Sequence, residues 1–512
     1  MGCPLAVPEN RSQRGFVGQR VLTVFFGLFL SVVAQGGCEI LANDGKPAPR
    51  PLSDPLGNTL LRAERCPNDI LLLHQAFEAQ KWTIVPAMVA NRGRHNPAAG
   101  SFSFFERVTG KFGDVELGET SLFLGHFTGE AGGKLVFDRA PDRGKLLIEA
   151  IAFDAKRGLY HFYELIGTGT GGQWFFRGDS KDALADNRWL HRKPPQGTPK
   201  FGTTMRCSAC HDSGGPILKE LRSPHNDWWT KARPLPLKPN EPAEDVRLWM
   251  RKLDDTPLFA KAVRAGMGRL FGSEGYRKAS RERSLPERLR PLFCTVEIQI
   301  DSDSVPADTQ AAAVAIPSAM VVDPRLATGA ITMSGERYER LLRASGLELP
   351  ETNRRDADHR WLVPVKSDAD LALVAMEVEQ KLVDEEFVAD VLAVDMNEPT
   401  FSPTRCSLLA AVPDQSTEGW QKEFEKRLAA MGGAAARELL SNRQETTRTK
   451  ASHQRTAQTR LAKTTEAART DEGAAQLFEA LQAVRKAVKS SEISKNPKGQ
   501  ILEPGFRIIF PE

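Results

Sequence analysis

Between residues 102 and 176 the chain repeats one pattern, a short run of apolar, aromatic and β-branched residues followed by a glycine-rich break. The runs occupy 102–105, 116–127, 134–137, 145–153, 159–166 and 173–176. The breaks fall at Gly110, Gly113, Gly129, Gly132-Gly133, Asp142-Arg143-Gly144 and 167–172. Short runs rich in β-branched and aromatic residues, with glycines to supply tight turns between them, predict an antiparallel sheet or small sandwich. Its aromatics, Tyr160-His161-Phe162-Tyr163 and Trp174-Phe175-Phe176, belong to the core and half-exposed face of such a sheet, where large rings pack well. Just before it, DILLLHQAFEAQKW has apolar residues at helical spacing behind Asn68-Asp69, which predicts a helix.

Behind the sheet stands Met205-Arg206-Cys207-Ser208-Ala209-Cys210-His211-Asp212-Ser213-Gly214-Gly215. Two thiols separated by two residues, with a histidine directly after the second, put three groups on about one helical turn. That is the spacing of c-type haem attachment, in which each thiol adds to a vinyl group and the adjacent imidazole reaches the iron. Cys207 and Cys210 would hold the haem covalently and His211 would be the proximal ligand. A Cys-x-x-Cys also serves zinc or a thiol redox pair. Zinc would want a second pair of ligands, and only His225 lies nearby; a redox pair would want a βαβ context, and the flanks are Gly- and Pro-punctuated.

The N-terminus agrees with that chemistry. VLTVFFGLFLSVVA, residues 21–34, is uncharged and follows Arg11, Arg14 and Arg20, the pattern of a signal peptide cleaved after Ala34. It is short of the roughly 20 apolar residues of a spanning helix. The expected address is the bacterial periplasm or the exterior. The alternatives are anchoring by an uncleaved segment or lipidation at Cys38, although Gln35-Gly36-Gly37 lacks the aliphatic residue such lipidation favours. Of the seven cysteines, Cys3 leaves with the signal and two go to haem, so Cys38, Cys66, Cys294 and Cys406 remain. Four cysteines allow three pairings; Cys38–Cys66 and Cys294–Cys406 are the favoured set in an oxidising compartment. A net charge of +4 over 512 residues implies neither nucleic acid nor an anionic membrane as a partner.

The segment from Met205 to Gly215 resembles the haem-attachment site of c-type cytochromes. A longer stretch, FYELIGTGTGGQWFFRGDS through RCSACHDSGGPILKEL to SPHNDWW, resembles exported bacterial proteins that contain a cytochrome c domain and whose activity is not established. The resemblance implies one haem c per chain, its iron, and electron transfer with an unidentified redox partner. It also implies that a proline soon after the proximal histidine accepts from its Nδ1–H, which points to Pro216. A methionine some tens of residues downstream would be the sixth iron ligand, which points to Met267, with His225, Met250 and Met205 as alternatives. An open sixth position would instead suit a peroxidase-like or gas-binding centre. A zinc-binding or structural envelope protein is the remaining alternative. Trp228 and Trp229 are candidates for a cofactor wall or for plain packing.

The expected class is α+β: an antiparallel β-rich N-terminal domain, a haem c segment surrounded by helices, and a mostly helical C-terminal part. The expected divisions are a signal peptide at 1–34, a Pro-rich linker of little regular structure at 35–65, a β-rich domain at 66–200 and a haem segment at 201–290. A mixed, mostly helical domain at 291–417 and a charged helical region with a terminal strand at 418–512 complete the chain. Helices are expected at 180–190, 244–253, 255–271, 281–290, 311–322, 335–345, 369–382 and 385–394, and a strand at 292–300. Asp179, Asp182 and Asp186 read as a capped helix start, and His359 with 356–358 as a surface loop. The basic run 448–460, with Lys450, His453 and Arg455, reads as a solvated helical face.

Overall fold

The computed structural model describes residues 37–91, 102–131, 134–139, 141–188, 195–197, 207–209, 211–217, 226–231, 242–301, 312–345 and 363–490. The signal region, Met205, Cys210, His225, His359 with 356–358, and the tail beyond 490 lie outside these. The architecture is α+β, as the patterning predicts. Its centre is one ten-stranded sheet: β1 (Ile40–Leu41), β2 (Thr83–Asn91), β3 (Phe102–Phe112), β4 (Val115–Leu117), β5 (Leu122–Ala131), β6 (Lys134–Phe137), β7 (Leu146–Asp154), β8 (Leu159–Gly167), β9 (Gly172–Asp179) and β10 (Asn226–Trp228).

Eight of these run in the order β1-β9-β8-β7-β5-β3-β2-β10, with β4 and β6 added as hairpin partners of β3 and β5. From β2 to β9 the pairs are antiparallel, as the glycine-punctuated runs predict, and they form a meander; β1 joins β9 in parallel. All nine residues of β8 are buried, which requires cover on both faces of the sheet. The first face is covered by α1 (Pro55–Arg62), α2 (Ile70–Ala79) and α4 (Glu244–Met250). The second is covered by α3 (Ser180–Asn187), α5 (Thr256–Gly272) and α6 (Glu274–Arg281). Strand alternation sends Leu122 and Leu124 to the first core and Phe123 to the second.

The remainder packs as a helical body around a third core. It comprises α7 (Leu285–Phe293), β11 (Ile298–Asp301), β12 (Ala313–Pro317), β13 (Ala330–Ser334), α8 (Gly335–Ser345), β14 (Val363–Lys366) and α9 (Asp368–Glu379). Then come α10 (Glu385–Ala393), α11 (Pro403–Ser407), α12 (Trp420–Met431), α13 (Ala434–Gln444), α14 (Lys450–Ala467) and α15 (Asp471–Ser490). Helix α9 joins it to the second face: Ala369, Leu373 and Met376 enter that core, while Glu377 takes a buried ion pair with Arg288 of α7. Cys38–Cys66 and Cys294–Cys406 are both at disulfide distance, 2.06 and 2.14 Å. The first occupies the sulfur that a lipid anchor at Cys38 would need. Among the described residues no helix is long and apolar enough to cross a membrane.

Four expectations are corrected. Residues 35–65 are not merely a linker: β1 joins the sheet, and Asp54-Pro55 starts a helix whose cap is the Asp54 carboxylate, accepting from Gly57 N at 2.9 Å. Within 311–322, expected to be helical, Ala313–Pro317 is β12 and Ser318–Met320 one 3-10 turn, because alternate burial against β13 decides. Residues 281–290 are split between α6 and α7 by a Ser284 capping box, and α7 runs through Pro291 into the start of the expected strand. In the basic run 448–460 Arg448 and Arg455 are exposed as a solvated face predicts, but His453 is not part of that face: it is buried with Ala457 and Leu461 and faces Asp390 at 3.2 Å.

Candidate functional site

The Cys-x-x-Cys-His turn lies on the second face. Cys207–Ala209 is a 3-10 turn, and His211 N donates to Cys207 O at 2.8 Å, so the first thiol and the imidazole stand one helical turn apart. Cys207 is half-buried against the second core, and the His211 ring lies 5.2 Å from that of Phe162 on β8. Cys210 falls between them in sequence, outside the described residues.

The sheet-side neighbours hold this turn mainly by its backbone. Asn187, the last residue of α3, donates from Nδ2 to the carbonyls of Ser208 and Asp212, at 3.0 and 3.1 Å. Asp186 accepts from Ser208 Oγ. Tyr276 of α6 donates its hydroxyl to Ser213 O at 2.8 Å. Gly214 turns with φ +74°, and a Cβ there would stand 2.7 Å from Ser180 O, so a side chain is excluded twice over. Helix α5 meets the turn at Gly266, where a Cβ would lie 3.0 Å from Pro216 Cγ.

His211 Nδ1 is 2.8 Å from a carbonyl, and the carbonyl is that of Gly215, not Pro216. The reverse turn at Gly214 brings the chain back one residue earlier than the resemblance implies; Pro216 instead packs on α5. A carbonyl only accepts, so Nδ1 is the donor and the neutral ring keeps its lone pair on Nε2. Met267 of α5 is buried, and its Cγ is 3.6 Å from the Cβ position of Gly215, beside the turn. Met250 is half-buried on α4, packed against the first core on the opposite side of the sheet. Trp229 packs there as well, with its backbone N donating to Met88 O at 3.0 Å. The fold thus brings Met267 beside the turn at Gly215 and places Met250 and Trp229 against the first core. Met205 and His225 are outside the described residues.

The acids ahead of the motif serve helix α3. Asp179 accepts from the amides of Lys181 and Asp182, and Asp182 accepts from Asp179 N, a reciprocal cap. Burial, and then the neighbouring Asp179, raise the Asp182 carboxyl above its ordinary range. On α9, Asp370 accepts from Val296 N at 2.6 Å; burial pushes its carboxyl up to about 7, and the charge of Asp212 in the motif adds to the rise.

The sequence reading missed two polar clusters on the first face. In one, Asp54 Oδ2 lies 2.7 Å from His161 Nδ1 and accepts from Tyr163 OH at 2.5 Å, while Ser53 Oγ donates to Asp154 at 2.6 Å. In the other, Glu106 of β3 faces His74 of α2 and His126 of β5. Both are built from residues far apart in the chain. Their signal in the sequence is an ionisable residue at an inward position of an alternating strand, as in FSFFERV and LFLGHF. The chain matches no protein-family model, no curated protein and no solved structure.

Proposed function

We propose that this chain is an exported monohaem c-type cytochrome. Cys207 and Cys210 hold one haem c by thioether bonds, and His211 is the proximal iron ligand. The observation that carries this reading is the His211 Nδ1 hydrogen bond to Gly215 O on a turn shared with Cys207. That bond fixes the ring plane and raises the basicity of Nε2, which is what an iron-ligating histidine needs. When bound, the haem supplies one-electron exchange between ferrous and ferric iron.

The rest of the chain would position and shield. Asn187 and Tyr276 hold the turn's carbonyls and so fix its register against the sheet. Phe162 supplies an apolar flank beside the imidazole. Met267, buried beside Gly215, is the sixth ligand favoured by its place on the second face, and a thioether there would raise the potential relative to a second imidazole. The two disulfide-distance pairs fit an oxidising compartment, which supports a periplasmic address. The electrons would pass to and from a partner protein.

The test is a pyridine haemochrome spectrum with intact mass on the whole chain, matured in a periplasm competent for cytochrome c assembly. One covalent haem per chain is expected, lost in the Cys207→Ser, Cys210→Ser double variant. A colourless wild-type chain of unadorned polypeptide mass, with both thiols titratable, ends the proposal.

A further inference from the structure

His74, Glu106 and His126 come from three elements and converge under α2, each 4% exposed or less. Glu106 pairs with Leu124 and His126 with Phe104 across β3 and β5, so the two are diagonal neighbours on one face of the sheet. Asp69 caps α2 through Leu72 N at 2.8 Å and so sets the phase that turns His74 down onto them. His74 Nε2 lies 3.0 and 2.9 Å from the two carboxylate oxygens, and His126 Nε2 lies 2.7 Å from Oε1. One ligand atom from each of the three lies within 4.8 Å of the others.

We propose that these three side chains bind a first-row divalent cation of the zinc class, through two imidazole nitrogens and one carboxylate. The site is separate from the Cys-x-x-Cys-His turn, lies on the other face of the sheet, and does not depend on the haem reading.

Three observations carry it. The first is spacing: tetrahedral ligands about 2.05 Å from a zinc-class ion stand about 3.3 Å apart, and the three ligand atoms here, all within 4.8 Å of one another, need shift only by tenths of an ångström from their 2.7–3.0 Å contacts to admit one. The second is the donor set. Two imidazoles and a carboxylate suit borderline cations such as zinc or ferrous iron, whereas calcium and magnesium favour all-oxygen shells. The third is charge and satisfaction. Glu106 is fully buried, with its two carboxylate oxygens against the rings of His74 and His126. A buried carboxylate needs a compensating positive group, and a dication supplies it with both rings neutral. Among the described residues, His126 Nδ1 and Trp249 Nε1 are buried without a hydrogen-bond partner, and the Trp249 ring stacks on His74 at 4.1 Å. With Phe104 and Phe137 against His126, these rings wall the cluster from water, where electrostatic attraction to an ion is strongest.

A site this enclosed fills as the chain folds, so the experiment is metal content of the full chain produced with zinc in the medium. About one zinc per chain is expected, with nitrogen and oxygen ligands alone in zinc-edge X-ray absorption, and occupancy at least about tenfold lower in Glu106→Gln and His126→Asn. Sulfur ligands would assign the zinc to Cys207 and Cys210 and overturn the proposal. So would a folded wild-type chain with less than about a tenth of an equivalent of any first-row metal beyond haem iron, which would leave a purely hydrogen-bonded cluster. If the variants do not fold, these wild-type measurements decide alone.

Discussion

The two faces of the ten-stranded sheet are both helix-covered, yet they treat polar groups in opposite ways. On the first, charged and polar side chains satisfy one another across elements: Asp54 with His161 and Tyr163, Glu106 with His74 and His126. On the second, the polar groups satisfied around the motif are largely backbone carbonyls, held by Asn187, Tyr276 and the His211 ring itself. Networks of the first kind lock helices to strands through their side chains. On the second face the turn is fixed largely through its own main chain. The faces also respond oppositely to protons: Glu106 is held below its ordinary range and Asp370, beside the motif, well above it.

The sharpest way to break the first face is Asp54→Ala. The substitution strips His161 and Tyr163 of a shared buried acceptor and α1 of its cap. Removing one member of a buried polar network costs about 3–5 kcal/mol, read as a lower guanidinium midpoint at unchanged slope. A loss below about 1 kcal/mol would mean the network is not what holds α1 down. On the second face, Met267→Ala should cost about 2–4 kcal/mol through a core cavity. It should also abolish the methionine-to-iron charge-transfer band of the matured protein and lower its potential. Met250→Ala, on the far side of the sheet, should leave spectrum and potential untouched. A spectrum that survives Met267→Ala removes that residue from the iron.

How much of this was legible in the sequence divides along the same lines. The antiparallel sheet was, because alternation and glycine breaks are local signals, and the motif was, because its groups are contiguous. Helix α1 was hidden by the composition around Pro47, Pro49 and Pro51, although Asp54-Pro55 is itself a helix start. Strand β12 was hidden by alanines that suit helices, and only its pairing with β13 decides its state. The polar clusters were the least legible. Sequence separations of 32 and 20 residues join His74 and His126 to Glu106, and 107 join Asp54 to His161. No spacing rule covers these, since tertiary register creates them.

The opposed proton responses can be separated by Asp370→Asn. Burial raises this carboxyl from an ordinary 3.8 to about 7, so between those values the folded chain holds a proton that the unfolded chain releases. The stability it contributes is therefore complete below about pH 3.8 and lost as pH rises through about 7. Asparagine keeps an acceptor for Val296 N and never ionises. The variant should be more stable than wild type at pH 8, on the order of 2 kcal/mol, and nearly equal to it at about pH 4. Glu106 runs the other way: its contribution is present above about 4.5, its ordinary value, and is lost as pH falls toward the depressed folded one. Equal denaturation midpoints for Asp370→Asn and wild type across that range would show that the carboxyl does not titrate with folding.

The smallest effect is the most discriminating for the first face. Asp69 and Asp54 are both N-caps, of α2 and α1, and each accepts one amide hydrogen of its own helix, from Leu72 and Gly57. Only Asp54 also meets side chains of the sheet. Asp69→Ala should therefore cost about 1 kcal/mol, the worth of a cap alone, with the Leu72 amide left to water at the helix start. The excess of Asp54→Ala over Asp69→Ala, about 2–4 kcal/mol, then isolates what the buried network adds beyond capping. Equal losses from the two would mean that both carboxylates act through their helices only, and that His161 and Tyr163 find other partners when Asp54 is gone.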